Sequence, residues 1–388
     1  MTAWMVRQGG GLMSGGRTAT DLTRELLHFD TINPPGQERA CAEYLGKLLE
    51  ESGFRIDFYE FDRDRTSLIA RLPGSGEQPP LCFSGHIDTV PLGQAPWGVD
   101  PFVGDIEGGK LYGRGSSDMK SGVAAFVTAA ISIANRSEPT AGLVLAITAG
   151  EENGCEGAYD LVGREGALGH AGAFVVAEPT SNLPVVGHKG ALWLEARTEG
   201  VTAHGSMPEQ GVNAIYKATN AINSLDSFSF DVPSHPVLGA PTLNVGRISG
   251  GLNINSIPDA CVFGIDIRTI PKQSHEEVIG SLGAHLGQEV ELRTLVDVGG
   301  IWTSPEDPWV REVVQILMEL HGGCPQPSGV PYFTDGSVLA QAYSGSPGLI
   351  LGPGEPRMAH QTDEFCYVDR VEQAVLIYER IASQWCGV

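Results

Sequence analysis

Two short stretches of this chain, Gly142–Thr148 and Ala173–Ala177, are almost wholly apolar, and each leads within a few residues into acid: Glu151 and Glu152 after the first, Glu178 after the second. An apolar run of this length with no polar face reads as a strand covered on both sides. Such strands need helices above and below them. The flanking sequence supplies helical candidates: a periodic stretch from Asp21, a second from about Gln37 to Ser52, the apolar, Ala-rich Met119–Ala134, Asp307–His321, and a long one from Val368 to about Trp385. Phe54–Phe61, Ser67–Leu72 and Leu81–Ser84 read as further strands, with a turn at Asn33-Pro34-Pro35-Gly36. Strands alternating with helices imply an α/β sandwich on a mixed, mostly parallel sheet.

The pattern changes after Gly190. Ala191–Thr198 alternates as a strand, Pro208–Leu225 reads as a helix, Thr242–Ile248 and Ala260–Arg268 as two strands, His275–Leu286 as a helix and Val290–Val296 as a strand. The order β-α-β-β-α-β is the ferredoxin-like signature. The expectation is therefore an α/β domain in two parts, 17–190 and 303–388, interrupted by an α+β domain over 191–302 and preceded by a Gly-rich flexible leader over 1–16. Met13 offers an alternative start.

A net charge of −22 argues against nucleic-acid binding and against anionic membranes, both of which need basic surface. No apolar run approaches the roughly 18 residues needed to span a bilayer. Seven cysteines without C-x-x-C spacing read as free thiols in a reducing, cytoplasmic setting rather than a disulfide framework or zinc knuckle.

The chemistry-bearing residues lie in separate short motifs: His86 and Asp88 in S-G-H-I-D-T-V-P, Asp118 in G-R-G-S-S-D-M-K-S-G, the Glu151-Glu152 pair, Glu178 in V-V-A-E-P-T, and His360 in A-H-Q-T-D-E-F. Singly, each has a plain alternative. Asp118 fits a helix N-cap, Glu151-Glu152 a solvated acidic turn, and His360 a surface loop histidine. Together, acids and a histidine at strand ends of one α/β layer converge on one edge. Two imidazoles and several carboxylates can hold a pair of divalent ions about 3.5–4 Å apart, clamped by a bridging carboxylate. Mixed imidazole and carboxylate donors suit zinc, and also manganese or cobalt. Two adjacent glutamates at a buried strand end need cations beside them; one could bind metal while the other serves as a general base. No G-x-S-x-G elbow, P-loop or complete dinucleotide fingerprint is present.

In their order, N-P-P-G, G-H-I-D-T-V-P, W-G-V-D-P-F, L-Y-G-R-G-S-S-D-M-K-S-G, A-E-P-T, A-H-G-S-M-P-E-Q-G, I-D-I-R-T-I-P, T-D-G-S and A-H-Q-T-D-E-F resemble the dinuclear-zinc exopeptidases and deacylases of peptidase family M20. That family includes acetylornithine deacetylase, succinyl-diaminopimelate desuccinylase, aminoacylase and glutamate carboxypeptidase. The resemblance implies two metal ions, with His86 and Glu178 on one, Glu152 and His360 on the other and Asp118 bridging. It implies Glu151 as general base and Asp88 as the group that orients His86. It makes 191–302 a lid and homodimerisation domain. There His204 would reach the partner subunit's site to stabilise the oxyanion, Arg268 would bind the substrate carboxylate, and Asn255 would sit near it. Thr334 would line the substrate pocket.

The function implied is hydrolysis of the amide bond of an N-acyl amino acid or small peptide. The alternatives are cleavage of a non-peptide C–N bond in a small carboxylate-bearing compound, and a non-catalytic protein that binds an amino acid or peptide.

Overall fold

In the computed structural model, which describes residues 16–136 and 139–388, the chain forms two compact units. The leader expected over 1–16 falls, except for Gly16, outside the described residues. The first unit runs to Gly187 and resumes over Thr303–Ser328 and Thr334–Val388; the second is His188–Trp302 with Gly329–Phe333.

The apolar runs become the middle of a large sheet. From one edge its hydrogen-bonded order is Arg55–Asp62, Arg65–Leu72, Leu143–Thr148, Leu81–His86, Ala173–Val176, Gly348–Ile350 and Val185–His188. The outer pairs at the first edge are antiparallel, whereas the central pairs are parallel. Leu143–Thr148 and Leu81–His86 are buried along their whole length, as continuous apolar strands must be.

Alternation along Leu81–His86 assigns the two faces. Phe83 stacks on Phe126 of the helix Lys120–Ala134 and meets Tyr378 of the helix Val368–Cys386 edge-on. Cys82, pointing the other way, meets the hydroxyl of Tyr343, just past the helix Gly336–Ala342. The small residues of Lys120–Ala134 allow this close packing: a Cβ on Gly122 would lie 2.2 Å from the Ala177 carbonyl oxygen.

The second unit carries an antiparallel sheet in the order Thr242–Gly250, Ala260–Thr269, Gly190–Glu199, Val290–Val298. With the helices Ala214–Ser224 and His275–Leu286 this is the ferredoxin-like arrangement. Ala260–Thr269 alternates strictly between buried and half-buried positions. Leu192, Leu194, Phe263, Ile265 and Leu282 share one core, leaving Trp193, Asp266 and Arg268 on the opposite face of the sheet.

The structure differs from the sequence reading in places. Pro208–Leu225 is not one helix. A 3-10 turn over Pro208–Gln210 is followed by a break, and the helix begins at Ala214, where Asn213 Oδ1 accepts from the N–H groups of Ile215 and Tyr216. Gly211 sits in the break, where a Cβ would come within 2.7 Å of the Val201 carbonyl oxygen. The strand at Leu81 extends to His86, so this histidine closes the strand rather than following it. Lys120–Ala134 starts with Met119 at the cap position and no side-chain cap, so Asp118 is not a helix cap.

Candidate metal centre

The ends of three central strands and two loops converge in the first unit. His86 ends its strand, Glu151 and Glu152 follow Leu143–Thr148, and Glu178 follows Ala173–Val176. Parallel pairing of these strands puts their C-terminal ends side by side. Asp118 arrives on the loop before Lys120–Ala134, and His360 on the loop after the 3-10 turn Pro356–Met358.

Asp118 stands between the two histidines. Its Oδ1 lies 3.2 Å from His86 Nε2, and its Oδ2 lies 3.4 Å from His360 Nε2. Each histidine has a second carboxylate of its own. Glu178 Oε1 lies 3.8 Å from His86 Nε2, and Glu152 Oε2 lies 3.0 Å from His360 Nε2. The site thus divides into two half-sites that share one carboxylate. Glu151 is close as well: one ligand atom each from His86, Glu151 and Glu178 lie within 4.8 Å of one another, as do those of His86, Asp118 and Glu152. Among the described residues, however, both histidines form their ion pairs with other carboxylates.

The tautomer of His86 follows from its surroundings. Nδ1 lies 2.9 Å from the Asp88 carbonyl oxygen, which can only accept, so Nδ1 carries the proton and Nε2 is free to ligate. The Asp88 carboxylate also faces His86 Nδ1, its Oδ1 at 3.5 Å. It accepts in addition from the N–H groups of Glu151 at 3.1 Å and Glu152 at 3.3 Å, and from Asn33 Nδ2 at 2.9 Å. Asp88 therefore touches both sides of the site, the imidazole with its carbonyl and its carboxylate and the glutamate turn with its carboxylate.

The electrostatics fit divalent cations. Burial pushes Glu151 well above the usual carboxylate range; His86 opposes this and Glu178 and Glu152 add to it. Burial and then Asp118 push Glu178 up, and burial and Asp118 also raise Glu152. Burial works against charge on His86, yet hydrogen bonds to Asp118 and Asp88 carry it well above its ordinary value. Hydrogen bonds to Asp118 and Glu152 lift His360 to about 10. Protons are drawn to the positions where cations would neutralise these buried carboxylates. Two imidazole nitrogens with three carboxylates, each half-site taking one oxygen of Asp118, form a suitable donor set for a metal pair.

The remaining predicted residues are placed as follows. Thr334 is fully buried, and its Oγ1 accepts from the Gly336 N–H at the start of the helix Gly336–Ala342. In the second unit, His204 and Asn255 are exposed and adjacent, with the Gly205 N–H donating to the Asn255 carbonyl. Ser206 donates its N–H to His204 Nδ1, which leaves Nε2 as the protonated nitrogen. Arg268 Nε lies 2.9 Å from Asp266 Oδ1 and Nη2 lies 3.2 Å from Oδ2; its guanidinium carbon is 5.9 Å from the Trp193 ring centroid.

Sequence reasoning missed three further residues of this neighbourhood. Asp335 is buried, accepts from Thr148 Oγ1 at 2.5 Å and adds to the charge that raises Glu151. Glu364 is buried and paired with the buried Arg114 at 2.6 Å. The T-D-G-S, A-H-Q-T-D-E-F and L-Y-G-R-G-S-S-D motifs contained them, but no spacing rule singled them out.

Comparison with known proteins agrees with this geometry. The model of peptidase family M20/M25/M40 matches residues 82–384. The chain belongs to that family. Members of the M20 family are hydrolases, and metallopeptidases are among the structural neighbours of this one. An acetylornithine deacetylase of Pasteurella multocida (strain Pm70) is 32% identical over 92% of this chain and 93% of its own length. One of Myxococcus xanthus is 31% identical over 94% and 96%. In fold, an M20 metallo-carboxypeptidase of Sulfolobus solfataricus matches with a TM-score of 0.78 at 17% identity, covering 94% of this chain and 98% of that one. A Bacillus subtilis M20 peptidase described as binding a dinuclear metal matches at 0.70 and 15%, covering 95% and 98%. Among the described residues no helix is long and apolar enough to cross a membrane.

Proposed function

We propose that this M20 hydrolase cleaves the amide bond of an N-acyl amino acid or small peptide at a pair of divalent metal ions. The observation that carries the reading is the division of Asp118: each of its oxygens faces a different histidine, and each histidine has a further carboxylate of its own. His86 and Glu178 would hold one ion, His360 and Glu152 the other, and Asp118 both. Zinc suits this donor set, as do manganese and cobalt. When bound, such a pair supplies an acidified water and charge stabilisation for the carbonyl oxygen.

The chain's own residues do the rest. Glu151 is buried beside the His86 half-site with its proton affinity raised, which suits a general base that takes a proton from water and returns it to the leaving amine. Asp88 fixes the His86 tautomer and holds the main chain of Glu151 and Glu152. His204, with Nε2–H free to donate, would stabilise the oxyanion in the partner subunit's site. Arg268, aligned by Asp266, would take the substrate carboxylate, with Asn255 beside it. Thr334, whose hydroxyl caps the turn into the helix Gly336–Ala342, would line the substrate pocket through that turn.

The relatives named acetylornithine deacetylase favour an N-acyl amino acid. We further read residues 191–300 as the lid and the contact surface of a homodimer; Leu252, Ile254 and Tyr216 there expose large apolar side chains. Seven free cysteines, six of them buried, favour a cytoplasmic setting.

The test is a screen of N-acyl amino acids and dipeptides against the metal-loaded protein. Hydrolysis that a chelator abolishes and zinc, manganese or cobalt restores is the expected result. Tight binding of such ligands without turnover would favour a binding protein, and turnover confined to non-amide C–N bonds would move the reading to that chemistry.

A further inference from the structure

The Asp118 loop and the His360 loop are joined through one buried side chain. Glu364 is fully buried four residues after His360. Its Oε1 accepts from the N–H groups of Ser117 at 2.8 Å and Asp118 at 3.0 Å. Its Oε2 accepts from the Gly115 N–H at 3.0 Å and from Arg114 Nη1 at 2.6 Å. The Glu364 carbonyl takes the Gly113 N–H. Around it, Ser117 Oγ donates to the Phe365 carbonyl at 2.8 Å and accepts from the Glu355 N–H at 2.8 Å. Arg114 Nη2 donates to the Pro91 carbonyl at 3.2 Å. The loops fit closely: a Cβ on Gly354 would lie 2.2 Å from the Ser117 carbonyl oxygen. Gly115, at φ +88°, has the left-handed backbone that turns its N–H inward.

We propose that Glu364 is a positioning residue that sets Asp118 against His360, so that the two half-sites form at a fixed separation before any ion arrives; this rests on the two-metal reading above. Three of its four donors are main-chain N–H groups of Asp118 and the two residues Gly115 and Ser117 just before it, so its reach sets where the shared carboxylate stands. Only a carboxylate accepts on both oxygens. Glutamine would turn an NH2 group toward Arg114 or toward the loop N–H groups, and aspartate would fall one methylene short. Buried groups that orient metal ligands in this way typically affect metal affinity or activity about 10–100-fold.

The experiment compares wild type, Glu364→Asp and Glu364→Gln. Glu364→Gln leaves Arg114 without its charge partner and threatens folding; Glu364→Asp keeps that charge. For each folded protein the measurements are the metal-free Tm, the number and Kd of bound ions by calorimetry, the visible spectrum of the cobalt-loaded form, and kcat and KM at limiting and excess metal. The expected result is two ions in wild type. In the variants one ion is weakened about tenfold or more, the cobalt spectrum shifts, kcat falls at limiting metal and recovers with excess metal, and KM is little changed. Wild-type Kd values and spectrum in the variants, with only Tm lowered, would reduce Glu364 to a structural pair with Arg114 and overturn the proposal alone. Fewer than two ions in wild type would overturn the two-metal reading, and the proposal with it.

Discussion

In the first unit His86, Asp88, Glu151 and Glu178 are buried, Asp118 and Glu152 are half-buried and His360 is exposed, and neighbours hold them in place: His86 and the glutamate turn by Asp88, the Asp118 loop by Glu364. In the second unit His204 and Asn255 are exposed, and Arg268 pairs with the Asp266 carboxylate. The first arrangement fixes positions to within hydrogen-bond tolerance, as a reacting centre requires. The second leaves donors free to meet something that arrives later. On the function proposed above, chemistry would fall to the first unit, and oxyanion contact and substrate choice to the second.

Mutations can break or sharpen that division. The largest effect belongs to the base. Glu151→Gln is expected to lose about 10²–10⁴-fold in kcat while still binding both ions; near-normal turnover would remove the base assignment. Next comes the second unit's donor. His204→Ala should lower kcat by about 10²–10³-fold with KM little changed. A harmless His204→Ala would leave the second unit without a part in the chemistry. Asp88→Asn, which acts through other residues, should lose about 10–100-fold in metal affinity or activity, measured by metal titration alongside rates. Arg268→Lys should mainly raise KM, by about tenfold, because an ammonium cannot copy the planar two-point grip. A fall in kcat alone would move Arg268 from recognition to chemistry.

The smallest expected effect concerns stability and lies in the second unit. Burial pushes His188 down to about 4, from an ordinary value near 6.5. The folded protein refuses a proton that the unfolded chain accepts. The stabilisation is therefore complete above about 6.5 and is lost as pH falls through about 4. Melting curves between pH 7.5 and 4.5 should drop less steeply for His188→Gln than for wild type; parallel slopes would show that His188 does not carry the acid sensitivity.

Much of the fold was legible because its strands and helices have strong periodicity. His275–Leu286 matches its expected range, and the central apolar runs became the expected strands. Short elements such as Val185–His188 and Gly348–Ile350 were not legible, since a few residues carry too little pattern to separate strand from loop. The helix Glu156–Gly163 follows Cys155 in left-handed backbone, a start that no capping rule predicts. At the site the same contrast holds. His86, Asp118, Glu152, Glu178 and His360 sit in motifs that a resemblance can read. The parts of Asp88, Glu364 and Asp335 depend on which main-chain N–H or hydroxyl their carboxylates meet, and only folding brings those partners together.

On the two-metal reading, Asp118 spans both half-sites and leaves Glu151 unliganded. Anomalous diffraction from crystals of the zinc-loaded protein tests it most directly. Two ions are expected, one on His86 and Glu178, one on His360 and Glu152, each taking an oxygen of Asp118, with neither bound to Glu151. A single ion, or an ion with Glu151 in its coordination sphere, would contradict it.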